Sequence, residues 1–108
     1  MSDPKPFLIG GEWRTSERVL DVRFPYNGEM AGRVCQAQDR DLEDAVVAAE
    51  KGFEITRKLP SHARSKILYN LLDQMEKRTG ELIQAMVMEG GKTTNVAAGE
   101  TARAKETV

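Results

Sequence analysis

One thiol, Cys35, is all the cysteine this chain has, which excludes an internal disulfide framework and a zinc site built from several cysteines. Histidine is equally scarce. His62 stands alone, so neither a histidine-based metal site nor a Ser-His-Asp arrangement can be assembled without it. An excess of one charge is also missing: sixteen basic and seventeen acidic residues leave a formal charge of −1, and no global field attracts nucleic acid or an anionic membrane. No apolar run approaches the ~20 residues that span a bilayer, and the opening MSDPKPFLIGG contains no long apolar h-region. These absences lead to the expectation of a soluble, unexported protein of the reducing cytosol, with no nucleic-acid or membrane partner.

What is present is a globular composition, 40% hydrophobic and 31% charged, in 108 residues, a length that suits one small domain. Residues 7–36 read as β-rich and residues 39–108 as helical. FLIGGEWR, residues 7 to 14, flanks Gly10-Gly11 with short apolar-aromatic runs and predicts a tight hairpin. Residues 19 to 24, VLDVRF, alternate with Leu20, Val22 and Phe24 on one face, the period of a half-buried strand. Asn27-Gly28 marks a turn before an extended segment from Met30 to Gln36.

From Asp39 the period changes. Asp39 is a candidate cap, and Leu42, Ala45, Val46, Ala49 and Phe53 paint one apolar stripe on a helix over residues 40 to about 57. Leu59-Pro60 ends it. Ser61 is the next candidate cap, and Ile67, Leu68, Leu71, Leu72 and Met75 continue the spacing until Gly80, which should break or kink the run. Leu82, Ile83, Met86 and Val87 form a further stripe ending at Gly90-Gly91, and a last helix starts near Asn95 with no stop signal before Val108.

The tripeptide Gly91-Lys92-Thr93 matches the end of a phosphate-binding P-loop, but the glycine that motif requires five residues before Gly91 is Met86. Helical spacing, not a strand, precedes it. Gly90, Gly91 and Lys92 are more simply a helix stop, with the lysine complementing the negative end of the dipole. The other chemical candidates are no stronger. Cys35 lies in a strand-like GRVCQA and reads as a small buried hydrophobe. His62 falls at the exposed start of a helix. Trp13 is a stacking surface for a ligand or, more simply, the closure of one edge of a small core. Met75, Met86 and Met88 fit core filling, and the acidic run at 39–44 fits a helix start.

Taken in order, these punctuation marks resemble the amino-terminal segment of the aldehyde dehydrogenase superfamily. The resemblance runs through Phe7-Leu8-Ile9-Gly10-Gly11-Glu12-Trp13 and Phe24-Pro25-Tyr26-Asn27-Gly28-Glu29, where Phe24 departs from the family's asparagine. It continues through Ala45-Val46-Val47-Ala48-Ala49-Glu50-Lys51-Gly52-Phe53 and Arg64-Ser65-Lys66-Ile67-Leu68. It closes on Glu89-Gly90-Gly91-Lys92-Thr93, with Thr93 in place of a proline, and on Ala97-Ala98-Gly99-Glu100-Thr101. The wording around Lys58-Leu59-Pro60 and Ser61 is similar to the branch that includes lactaldehyde and non-phosphorylating glyceraldehyde-3-phosphate dehydrogenases.

The resemblance implies an α/β fold, part of a cofactor-binding domain in which a short β-hairpin and strands precede three to four helices. It implies NAD(P)-dependent oxidation of an aldehyde to an acid, in which a cysteine thiolate adds to the carbonyl, hydride leaves to nicotinamide and a glutamate-activated water releases the acyl group. In the family those groups, and the residues that hold the dinucleotide, lie beyond position 108. No catalytic, cofactor-binding or metal-binding residue is therefore assigned here, and neither NAD nor NADP is expected to bind this chain alone. Glu100 matches a position that in some members helps to hold a monovalent cation; the plainer reading pairs it with Arg103. The expectation is a truncated or split reading frame, or an isolated segment, whose partner is the remainder of the enzyme or a second copy meeting it through exposed apolar helix faces. The rival is a freestanding interaction module.

Overall fold

The computed structural model describes residues 3–108 and divides into two compact units. The first holds the described residues up to Val22 together with Met30–Leu59; the second holds Arg23–Glu29 and Pro60–Val108.

In the first unit, β1 (Phe7–Ile9) and β2 (Glu12–Arg14) form an antiparallel hairpin with Phe7 opposite Arg14, Leu8 opposite Trp13 and Ile9 opposite Glu12. Gly10 and Gly11 both take positive φ, 60° and 84°, the two-residue turn whose twist suits a hairpin. Because directly opposed residues share a face, Leu8 and Trp13 point the same way, and Ile9 points the other way into cover. Trp13 is 70% exposed and Ile9 8%. Trp13 therefore does not close a core edge as the sequence suggested: the pleat sets its direction, and among the described residues Lys5 and Pro6 lie beside it.

β3 (Val19–Arg23) pairs with β4 (Met30–Cys35). The Phe24 N–H reaches the Glu29 carbonyl at one end and the Gln36 N–H reaches the Arg18 carbonyl at the other, both 2.8 Å, which only an antiparallel pair permits. The turn between them is closed by the Asn27 side-chain oxygen accepting the Glu29 N–H at 3.0 Å and by Gly28 at φ 75°. Val22 and Phe24 are half-buried as their shared face predicts, whereas Leu20 is half exposed. Lys5 adds a parallel bridge to β4, its N–H on the Arg33 carbonyl and its carbonyl accepting the Cys35 N–H, each 2.9 Å.

Helix α1 (Asp39–Thr56) starts one residue earlier than the sequence indicated. Gln38, in extended geometry, is its cap, and Asp41 reaches back to accept the Gln38 N–H at 2.8 Å. Asp39 is thus a first-turn residue rather than the cap, where its charge still suits the positive end of the dipole. The side of α1 that meets the hairpin carries Asp41, Asp44 and Ala48: Arg14 reaches both carboxylates, and a Cβ on Gly10 would stand 3.3 Å from the Ala48 methyl. At about 100° per residue, Val46 lies about 200° from Ala48, so the apolar stripe points away from the hairpin. Leu42 is 66% exposed and Phe53 60%.

In the second unit, α2 (Ser61–Lys77), α3 (Thr79–Gly90) and α4 (Thr94–Thr107) pack on one another, α4 chiefly on α3. Pro60 takes the cap position before α2, its φ of −66° already helix-compatible, so Ser61 is the first helical residue and not the cap. The break between α2 and α3 falls at Arg78, φ −111°, not at Gly80. The Thr79 hydroxyl supplies a physical reason: it lies 3.0 Å from the Met75 carbonyl and 3.1 Å from the Glu76 carbonyl, competing with the ladder of the last α2 turn. Gly91 closes α3 at φ 67°, its N–H on the Val87 carbonyl at 3.1 Å. Thr93 caps α4 by accepting the Val96 N–H at 3.4 Å.

The interior is small. Among the described residues only Ile9, Cys35, Ala97 and Thr101 are buried. The accessible surface, 8586 Å², is about 1.4 times what the mass scaling gives for a folded monomer of 12.0 kDa. Apolar faces of α1 and α2 account for much of what is uncovered, with Ile67, Leu68 and Leu71 of α2 about half exposed.

Candidate functional site

Two side-chain clusters stand out, one in each unit. The first is built by the hairpin. Its two-residue turn fixes the register so that Arg14 ends β2 over the first turns of α1, where it meets Asp44 at 2.6 Å and Asp41 at 3.6 Å. The hydrogen bond from Arg14, ahead of the cost of desolvation, holds the Asp44 carboxyl below its ordinary range. The same bond raises the guanidinium above its own ordinary value, so the pair is ionised throughout the neutral range. Beyond it opens a shallow cleft walled by Gly10, Val47, Ala48, Lys51 and Ile55. The guanidinium at its head is already engaged by two carboxylates, so the cluster acts as a clasp between hairpin and helix. The sequence placed the acidic run in a helix start and missed Arg14, whose only signal was a cation at the end of a hairpin facing that run.

The second cluster sits where α3 gives way to α4. Lys92, following the left-handed Gly91, sends its ammonium to the Glu100 carboxylate two turns into α4. This corrects the expected pairing of Glu100 with Arg103: the reversal of the chain at Gly91 folds Lys92 back along α4 and brings the better-placed cation. The Lys92 ammonium engages one of the two Glu100 carboxylate oxygens, Oε2.

A dinucleotide's phosphates need inward-turned N–H groups between a strand and a helix. Gly91-Lys92-Thr93 joins two helices instead, its glycine closing one, its threonine capping the next and its lysine engaged with Glu100. Gly91-Lys92-Thr93 therefore does not form a phosphate cradle. Cys35 is buried in the first unit on β4, and His62 is exposed at the start of α2 in the second. Met75, Met86 and Met88 are half-buried on α2 and α3. No cluster of three or more His, Cys, Asp or Glu with metal-holding geometry occurs among the described residues.

The family model described as the aldehyde dehydrogenase family matches residues 13–108. The chain belongs to the aldehyde dehydrogenase family. It is 35% identical over 102 residues to the malonate-semialdehyde dehydrogenase of Bacillus cytotoxicus, covering 93% of this chain and 21% of that protein. The chain thus spans about a fifth of the length of the curated relatives it matches. Among solved structures it superposes on the NAD-dependent benzaldehyde dehydrogenase of Corynebacterium glutamicum with a TM-score of 0.90 and 28% identity, over 97% of this chain and 24% of that one. Aldehyde dehydrogenase 21 of Physcomitrella patens, solved with the reaction product succinate, gives 0.91 and 27%, over 98% and 23%. The α/β arrangement of two strand pairs followed by four helices is that of the corresponding segment of these aldehyde dehydrogenases.

Proposed function

We propose that this chain is a non-catalytic framework segment of an NAD(P)-dependent aldehyde dehydrogenase, active only together with the polypeptide that supplies the remainder. The observation that carries the reading is the family match over residues 13–108 in a chain spanning 21% of its malonate-semialdehyde dehydrogenase relative. The uncovered stripes of α1 and α2 support it, because a self-sufficient domain of this size would bury them. The reaction assigned to the complete protein is oxidation of an aldehyde to its carboxylic acid. The substrate class is a short aldehyde bearing a carboxylate, motivated by the malonate semialdehyde of one relative and the succinate product of another. A lone buried thiol is at home in the cytosol, and no helix among the described residues is long and apolar enough to cross a membrane.

Spectrophotometric assay of the purified 108-residue chain with malonate semialdehyde and NAD or NADP tests the framework assignment. The expected result is no turnover; a measurable steady-state rate would place reacting groups within this chain and refute it. A freestanding module remains the second reading, favoured by the closed packing of α3 on α4 around Ala97 and Thr101. Coding DNA immediately downstream separates the two: a frame for the rest of a dehydrogenase supports the first, and unrelated sequence supports the second.

A further inference from the structure

Helix α1 has two opposite sides, and the chain uses one of them. Asp41, Asp44 and Ala48 meet the hairpin, while Leu42, Val46, Ala49 and Phe53 line the opposite side and are exposed in the whole described chain. The two rims of this exposed stripe differ. One carries the exposed carboxylates of Glu43 and Glu50, neither in an ion pair among the described residues, and ends at Arg57, whose guanidinium is paired with Glu54 and lies over the Phe53 ring; the other is made of the half-buried Ala45 and Gly52, side chains too small to hold a neighbour away. A helix that is apolar on a face turned from its own unit is the hallmark of an element with a second partner. The missing length indicates which: about four-fifths of the relatives' chain lies outside this one.

We infer that the outer face of α1 is a docking face for a helix of the remaining dehydrogenase polypeptide. That helix packs closely over the Ala45 and Gly52 rim and presents basic side chains to Glu43 and Glu50. The inference rests on the framework reading above and adds to it the place and chemistry of the joint. Close packing on the small-residue rim sets the approach of the backbones, and the carboxylates set the orientation, since an acidic helix edge there would meet like charge.

The test replaces the matched 102 residues of the Bacillus cytotoxicus enzyme with this chain and reads maleimide labelling at Val46→Cys by peptide mass spectrometry, in the chimera and in the 108-residue chain. Rates are normalised to those of the same proteins in urea. Labelling in the chimera should be at least about tenfold slower, because a docked face reacts only through local opening. Equal labelling in chimera and chain would overturn the docking face even if the chimera oxidised malonate semialdehyde, leaving the framework reading intact. Protection without turnover would support the docking face while removing support for the dehydrogenase reading. As a second measurement, Glu50→Lys in the chimera should speed Val46→Cys labelling, and an unchanged rate would overturn the basic character assigned to the partner.

Discussion

Two adjacent glycines should respond to the same substitution with opposite signs. Gly90 is the last residue of α3 and takes no left-handed conformation; a Cβ there would meet nothing closer than the Lys92 side chain at 4.0 Å. Gly90→Ala removes backbone freedom from the unfolded chain without strain and should stabilise by about 0.5–1 kcal/mol. Gly91 has φ 67°, and a Cβ built on it would stand 3.1 and 3.2 Å from two carbons of the Pro25 ring. The left-handed conformation alone costs an alanine about 1–2 kcal/mol. The proline ring is stiff, so the crowding adds about 1 kcal/mol more. The two variants should therefore differ by about 3 kcal/mol, roughly two decades in the unfolding equilibrium. Urea titrations of the 108-residue chain followed by circular dichroism measure this as midpoints of opposite displacement at constant slope. Gly91→Asn separates the contributions, since asparagine tolerates the left-handed region but keeps the Cβ. If Gly91→Ala matched Gly90→Ala, the helix stop would not be left-handed in solution and the reading of Gly91-Lys92-Thr93 as a helix junction would fail.

Three further outcomes are expected. Asp44 has its folded pKa lowered by Arg14, so its contribution is present above the ordinary carboxylate pKa and is lost as pH falls through the folded value. The stability gap between the parent chain and Asp44→Asn should thus persist at neutral pH and close in acid, and a gap that widened in acid would contradict the ion pair. Ala97, with no exposed surface, leaves no room for a larger side chain, and Ala97→Leu should cost about 1–3 kcal/mol, visible as an earlier urea midpoint. Trp13→Ser should alter stability by no more than about 0.5 kcal/mol, because the indole is 70% exposed; a larger loss would mean that the outer face of the hairpin is covered in solution.

The elements that were legible in the sequence are those fixed by the backbone itself. Gly10-Gly11, Asn27-Gly28, Leu59-Pro60 and Gly91 each restrict φ or remove a donor, and the turns and helix ends fall within a residue or two of where those restrictions put them. Where a side chain ends up depends on what covers it, and there the reading went astray. Trp13 was expected to close a core and instead lies on the bare side of the hairpin. The α1 stripe has the right period, yet the chain packs the opposite side through Arg14, Asp44 and the close approach of Gly10 to Ala48. The last helix is expected from near Asn95 without any residue marked as interior, while its Ala97 and Thr101 are among the most deeply buried residues described. The Thr79 hydroxyl moved a helix boundary that glycine was expected to set. Of the side-chain clusters, Lys92 and Glu100 were each singled out, but their pairing across eight residues follows from the chain reversal at Gly91, which no local spacing encodes.

At Ala97 and Thr101 the closest-packed seam of the second unit is made by a methyl group and a short hydroxylated branch whose oxygen turns back to its own helix, 2.8 Å from the Ala97 carbonyl. Because so little of α4 is interior, most of its outward positions are free for recoding. Added carboxylates or lysines there would raise the colloidal tolerance of this segment without prising the two helices apart. The same economy confines drift at the seam itself: a randomised library selected for folding would return glycine, alanine, serine and threonine at these two sites and little else.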